Sequence, residues 1–149
     1  MFATPDARLV QDLLSLCRDG RLFYQEAARA VDDSELQSLF REMAAVRAQV
    51  AKALSLKVVA GTQAPPGNQA ARMQALYLRL ASHLGQDRDF RYVAQLEEAE
   101  DSVLARLRDG VQALHSKPLA QDLADCLADI QLTHDRMKAI KDGLLAPKH

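Results

Sequence analysis

Three interruptions divide this chain, and their lengths decide what it can fold into. Asp32-Asp33 and Ser116-Lys117-Pro118 separate long stretches of helical periodicity by only a few residues, whereas roughly 30 residues lie between the second long stretch and the next. A join that short makes the following helix turn back along the one before it, so each marks an antiparallel hairpin. A helix of about 25 residues is about 37 Å long. For the third long helix to lie parallel to the second, the chain must travel that length, and the intervening segment has the reach to do so. Two hairpins joined by one long crossover is the ferritin-like four-helix arrangement, since an up-down bundle needs only a short second connection. An irregular array of five helices satisfies the same joins.

The residues between the joins support helix throughout. Ala, Leu, Arg, Gln, Glu and Asp dominate, Val, Ile and Thr are sparse, and Trp is absent. The 149 residues are expected to form a single domain. Five helices are predicted, over about residues 5–31, 34–59, 70–84, 90–114 and 119–144. Thr4 and Pro5 read as cap and first turn of the first helix, and "DDSEL" caps the second. "AGTQAPPGNQ" is the clearest break, followed by a short helix that "GQDRD" stops. The tripeptide Arg-Asp-Gly occurs at Arg18 and again at Arg108.

Charge and composition remove several classes of function. A formal net charge of −1 gives no electrostatic footprint for nucleic acid or an anionic membrane. There is no run of about 20 apolar residues, and "MFATPDARLV" lacks the basic and apolar regions of a signal peptide, so a cytoplasmic protein is expected. Cys17 and Cys126 are too few and too far apart for a zinc motif or a disulfide framework, and read as buried thiols. No Gly-rich phosphate loop or nucleophile–base arrangement stands out.

Polar residues in the middle of apolar stripes carry the remaining information. At about 100° per residue, Arg47 falls within about 20° of the line through Leu36, Phe40, Met43 and Leu54. Glu100 lies at the centre of a stripe of Val93, Leu96, Leu104, Leu107, Val111 and Leu114. His134 sits about 40° from Ile130, while Gln131 is at the flank, about 100° round. Tyr24 follows Gly20 by one turn on the first helix. In the crossover topology these four residues fall at about one level of the bundle. A buried Arg or Glu alone costs several kcal/mol, whereas together they neutralise one another. The expected arrangement is a buried polar layer of Tyr24, Arg47, Glu100 and His134 built on an Arg47–Glu100 ion pair. For any one of these side chains taken alone, a structural role in the core is the simpler reading.

"RDGRLFYQEAARAV", "LFREMAAVRAQVAKAL", "EEAEDSVLARL" and "IQLTHDRMKAIKD" resemble successive helices of an uncharacterised bacterial four-helix-bundle family, a domain of unknown function within the ferritin-like superfamily often discussed with stress proteins. The resemblance covers about residues 9–142. It implies the fold of rubrerythrins and bacterioferritins, whose di-iron sites take one Glu from each of two helices and Glu-x-x-His from the other two. Carried over by position, Glu100 matches a helix glutamate and His134 the last histidine. The other positions depart, with Cys17, Arg47 and Val50 where ligands would stand and Gln131 in place of a glutamate. Glu26 points about 130° away from the stripe.

The expectation is therefore a non-enzymatic ferritin-like bundle with a degenerate metal site and no cofactor, an interaction or stress-associated protein that forms a homodimer or other homo-oligomer. The alternative is a di-iron or di-manganese carboxylate oxidoreductase or metal-storage protein, using Glu97, Glu100, Gln131 and His134. A histidine phosphotransfer domain built on His134 is a third reading, for which "HDRMKA" is a poor match.

Overall fold

The structure, a computed structural model, describes residues 5–55, 68–82, 89–114 and 117–145. Among them all regular structure is helical: α1 (Pro5–Ala30), α2 (Ser34–Ser55), α3 (Asn68–Ala81), α4 (Asp89–Gln112) and α5 (Lys117–Leu145). The expected Thr4 cap, and residues 56–67 with their two prolines, lie outside the described residues. Pro118 was expected in the join but belongs to the first turn of α5. There its missing N–H takes nothing from the helix, because first-turn amides have no intrahelical acceptor.

The first hairpin is closed by side chains as well as by its length. Asp33 Oδ1 accepts a 2.9 Å bond from the Leu36 amide, and the Asp33 carbonyl accepts one of 2.9 Å from the Gln37 amide. Asp33 is thus the N-cap of α2. Gln37 Nε2 reaches back to the Val31 carbonyl at 2.7 Å, satisfying a group at the end of α1.

Cross-helix neighbours fix the directions of the long helices. Leu16 of α1 lies beside Arg47 of α2, and Tyr24 beside Phe40, so α1 and α2 are antiparallel. Leu9, early in α1, packs on Gly110, late in α4. Arg108 meets Gln131, and Glu97 meets His134, so α4 and α5 are also antiparallel. The first and last helices therefore run one way, α2 and α4 the other.

The short helix α3 is more than a connector. It packs on α1 and touches α4, while α1 and α4 meet each other only sparsely. With α2 against α5, the helices form a closed circuit, α1–α2–α5–α4–α3. Met73, Tyr77 and Leu80 of α3 are buried at the i, i+4, i+7 spacing of a single face. The core inside the circuit is aliphatic, with Leu13, Leu36, Leu39, Leu96, Leu104, Leu123 and Ile130 all buried. Among the described residues no helix is long and apolar enough to cross a membrane.

Candidate functional site

One level of this core is polar. Arg47 of α2 and Glu100 of α4 are 0% and 1% exposed, and Arg47 Nη2 lies 3.1 Å from both Glu100 Oε1 and Oε2. A single nitrogen bridges the carboxylate, in place of the two parallel bonds of a fork-to-fork pair. That leaves Nη1 free for other acceptors. It donates to Tyr77 Oη at 3.3 Å and to the Leu16 carbonyl at 3.4 Å. Tyr77 in turn donates a short hydrogen bond to Glu100 Oε2. Guanidinium, phenol and carboxylate form a closed triangle drawn from three helices, with a main-chain carbonyl of a fourth.

Gly20 makes room for it. A Cβ at this position would stand 2.5 Å from Arg47 Nη1 and 3.2 Å from Tyr77 Oη. The Leu16 carbonyl is also the helical acceptor for the amide of residue 20, so its second lone pair serves Arg47 only if residue 20 has no side chain. The second Arg-Asp-Gly has the same use, since a Cβ on Gly110 would lie 3.1 Å from Leu9 Cδ1.

Aromatic rings hold the triangle from one side. Of the chain's four Phe and three Tyr, Phe23, Tyr24, Phe40 and Tyr77 gather here. Phe23 stacks on Tyr77 with centroids 5.1 Å apart, and Tyr24 meets Tyr77 edge-on at 6.1 Å. The Arg47 guanidinium carbon lies 5.4 Å from the Tyr24 ring centroid, a cation–π contact in a desolvated setting. Tyr24, expected in this layer, meets the guanidinium with its ring face. Its Oη is buried with no hydrogen bond of good geometry, although the Glu100 carboxylate is near enough to act on it electrostatically. Arg47 Nε is likewise buried without a partner.

Electrostatics follow from burial and from this one carboxylate. Burial by itself would lower the pKa of Arg47, but Glu100 outweighs it and the guanidinium is held well above its ordinary value. Burial, then the Glu100 charge, raises Tyr77 and Tyr24 well above the ordinary phenol value. Burial pushes the Cys17 thiol up to about 12, with Arg47 opposing.

His134 does not join this layer. It is 1% exposed, and its Nε2 donates to the Glu97 carbonyl at 3.0 Å. The four ligands of the metal alternative do not converge either. Both Glu100 oxygens are engaged by Arg47 and Tyr77. Gln131 faces outward, its Oε1 accepting from Arg108 at 3.0 Å and its Nε2 donating to Asp135 at 2.8 Å. A second cluster forms on the α4–α5 seam, where one donor atom each from Glu97, Asp101 and His134 lie within 4.8 Å of one another. Lys141 Nζ pairs with Glu97 Oε2 there at 2.8 Å.

A di-iron centre does not fit the central layer. It needs several anionic oxygens around two cations. Here a guanidinium holds the one carboxylate, the neighbouring phenols stay protonated, and so does the Cys17 thiol. Tyr77, the residue that closes the triangle, was missed in the sequence. Its position one turn after Met73 on a short amphipathic helix was the available signal, but nothing said which way that helix faced.

A family model described as a domain of unknown function (DUF2383) matches residues 7–113. Comparison with curated proteins and with solved structures gave no match.

Proposed function

The chain belongs to the family described as a domain of unknown function (DUF2383), and on that premise we propose that it is a non-enzymatic, ferritin-like helical bundle acting as an interaction module. On this reading its centre is closed by an ion pair where ferritin-like enzymes hold two metal ions. The observation that carries the reading is Arg47 Nη2 at 3.1 Å from both oxygens of Glu100. The guanidinium fixed on this carboxylate neutralises its charge and repels Fe²⁺ or Mn²⁺. The antiparallel hairpins and the parallel course of α2 and α4 support the ferritin-like comparison, with α3 as an added wall.

Histidine phosphotransfer finds no support, because a partner domain cannot reach an imidazole 1% exposed. Interaction is favoured by the outer face of α1 and α3. Leu22 and Leu78, 55% and 70% exposed, flank a groove floored by Phe23 and Tyr77. A second copy of the chain is the occupant proposed for it. Sedimentation should then show a dimer that Leu78→Glu converts to monomer.

The central reading is tested by metal analysis of untagged protein refolded with excess Fe²⁺ or Mn²⁺ and desalted. No metal that depends on Glu100 is expected to remain. About two ions per chain, lost on Glu100→Ala, would overturn the reading.

A further inference from the structure

The α4–α5 seam presents a donor set that the central layer does not use. Glu97 and Asp101 are one turn apart on α4, so their carboxylates share a face, and His134 reaches that face from α5. One donor atom from each lies within 4.8 Å of the other two. Glu97 and His134 are buried and Asp101 is exposed, so the cluster opens to solvent on one side.

The histidine supplies an independent observation. A carbonyl only accepts, so the 3.0 Å contact to the Glu97 carbonyl places a proton on Nε2. In the neutral ring the lone pair is then on Nδ1, and Nδ1 is buried with no hydrogen-bond partner. An imidazole whose second nitrogen donates to a main-chain carbonyl, fixing the tautomer, is the arrangement found at metal-ligating histidines.

We propose that Glu97, Asp101 and His134 bind one first-row divalent metal ion on the α4–α5 seam, at a site separate from the Arg47–Glu100 layer. Two carboxylates and an imidazole suit Mn²⁺, Fe²⁺, Co²⁺ or Zn²⁺. Water on the Asp101 side completes the coordination. A metal about 2.1 Å from each donor holds neighbouring donors about 3 to 3.4 Å apart, so donors that lie within 4.8 Å of one another need close by at most about 1.8 Å. The exposed Asp101 side chain has the freedom to make that movement. Lys141 is the competitor. Its ammonium neutralises Glu97 Oε2 at 2.8 Å in the metal-free protein and leaves when the cation enters. The site is thus gated by a lysine on its own rim, and its affinity reflects the difference between two cations.

The proposal rests on the reading of the central layer only in placing the ion outside it, and the variants separate the two. Co²⁺ titration of untagged protein, followed by visible d–d absorption and by calorimetry, is expected to give one ion per chain. Asp101→Asn, at an exposed position, should fold normally and weaken binding at least 10-fold. Lys141→Met should tighten it several-fold, a result that an adventitious surface ion does not give. His134→Gln should abolish the imidazole contribution to the Co²⁺ spectrum if the variant folds. Absence of Co²⁺ binding, or binding unchanged by both Asp101→Asn and Lys141→Met, would overturn the site. Binding lost on Glu100→Gln but kept in Asp101→Asn would overturn it too, and would contradict the metal-free central layer as well.

Discussion

A guanidinium taken out of water costs several kcal/mol, and Arg47 recovers that only through the groups around it. Glu100 supplies the opposite charge, Tyr77 and the Leu16 carbonyl supply acceptors, and the Tyr24 ring supplies a negative face. Because one nitrogen spans the carboxylate, Tyr77 keeps Glu100 from swinging away. Tyr77→Phe should therefore cost about 2 kcal/mol in denaturant unfolding, the range for losing a hydrogen bond to a charged group. A loss below about 0.5 kcal/mol would mean that the phenol contributes nothing to the triangle. The residues that were legible in the sequence were those at stripe centres, Arg47 and Glu100, because an azimuth at 100° per residue is enough to place them inside. His134 was placed inside for the same reason, but its partner is a main-chain carbonyl, and projection assigns no partners of that kind. Gln131 was read at the flank, where its bonds to Arg108 and Asp135 are found.

At the scale of the helix, the glycines of the two Arg-Asp-Gly sequences stand where side chains of neighbouring helices approach closely. In an exposed helix Gly→Ala gains up to about 1 kcal/mol from propensity alone. Gly143, with nothing within 4 Å of a Cβ, should show that gain as a raised Tm for Gly143→Ala. Gly20→Ala should do the reverse, because the methyl displaces a guanidinium held by three partners, and a net loss of about 2 kcal/mol is expected. A stabilised Gly20→Ala would show that Arg47 moves aside freely. The cap of α2 gives a separate test, Asp33→Ala costing about 1 kcal/mol in thermal unfolding. That start was readable in "DDSEL" because capping is local. The role of α3 was not, since its stripe of Met73, Tyr77 and Leu80 fits a connector lying on the bundle as well as a wall within it.

Across the whole molecule, the buried acids bind their protons more tightly in the folded state than in the unfolded one. A thiol pushed from 9.0 up to about 12 and two phenols raised well above 10.0 therefore contribute stability that is complete below the unfolded values. That contribution is lost as pH rises from about 9, first through Cys17 and then through the tyrosines. Unfolding free energy should fall steeply above pH 9, and Cys17→Ser or Cys17→Ala should flatten the part of the slope below pH 10. A flat profile between pH 9 and 11 would contradict the burial of these groups. The exposed Arg136–Glu42 pair, between α5 and α2, should matter little beside them. The all-helical class was legible from composition and periodicity, and the two hairpins from join lengths, properties of the chain as a whole. The circuit through α3 was not, because it depends on which faces meet.

The most direct measurement is a double-mutant cycle on Arg47 and Glu100, with Arg47→Met, Glu100→Leu and the pair compared by denaturant unfolding at neutral pH. Each single change should cost about 3 to 5 kcal/mol by leaving a buried charge uncompensated, and the double variant should cost no more than either single change, a coupling of at least about 3 kcal/mol. A coupling under about 0.5 kcal/mol, with both singles near wild-type stability, would contradict an ion pair at the centre of this bundle.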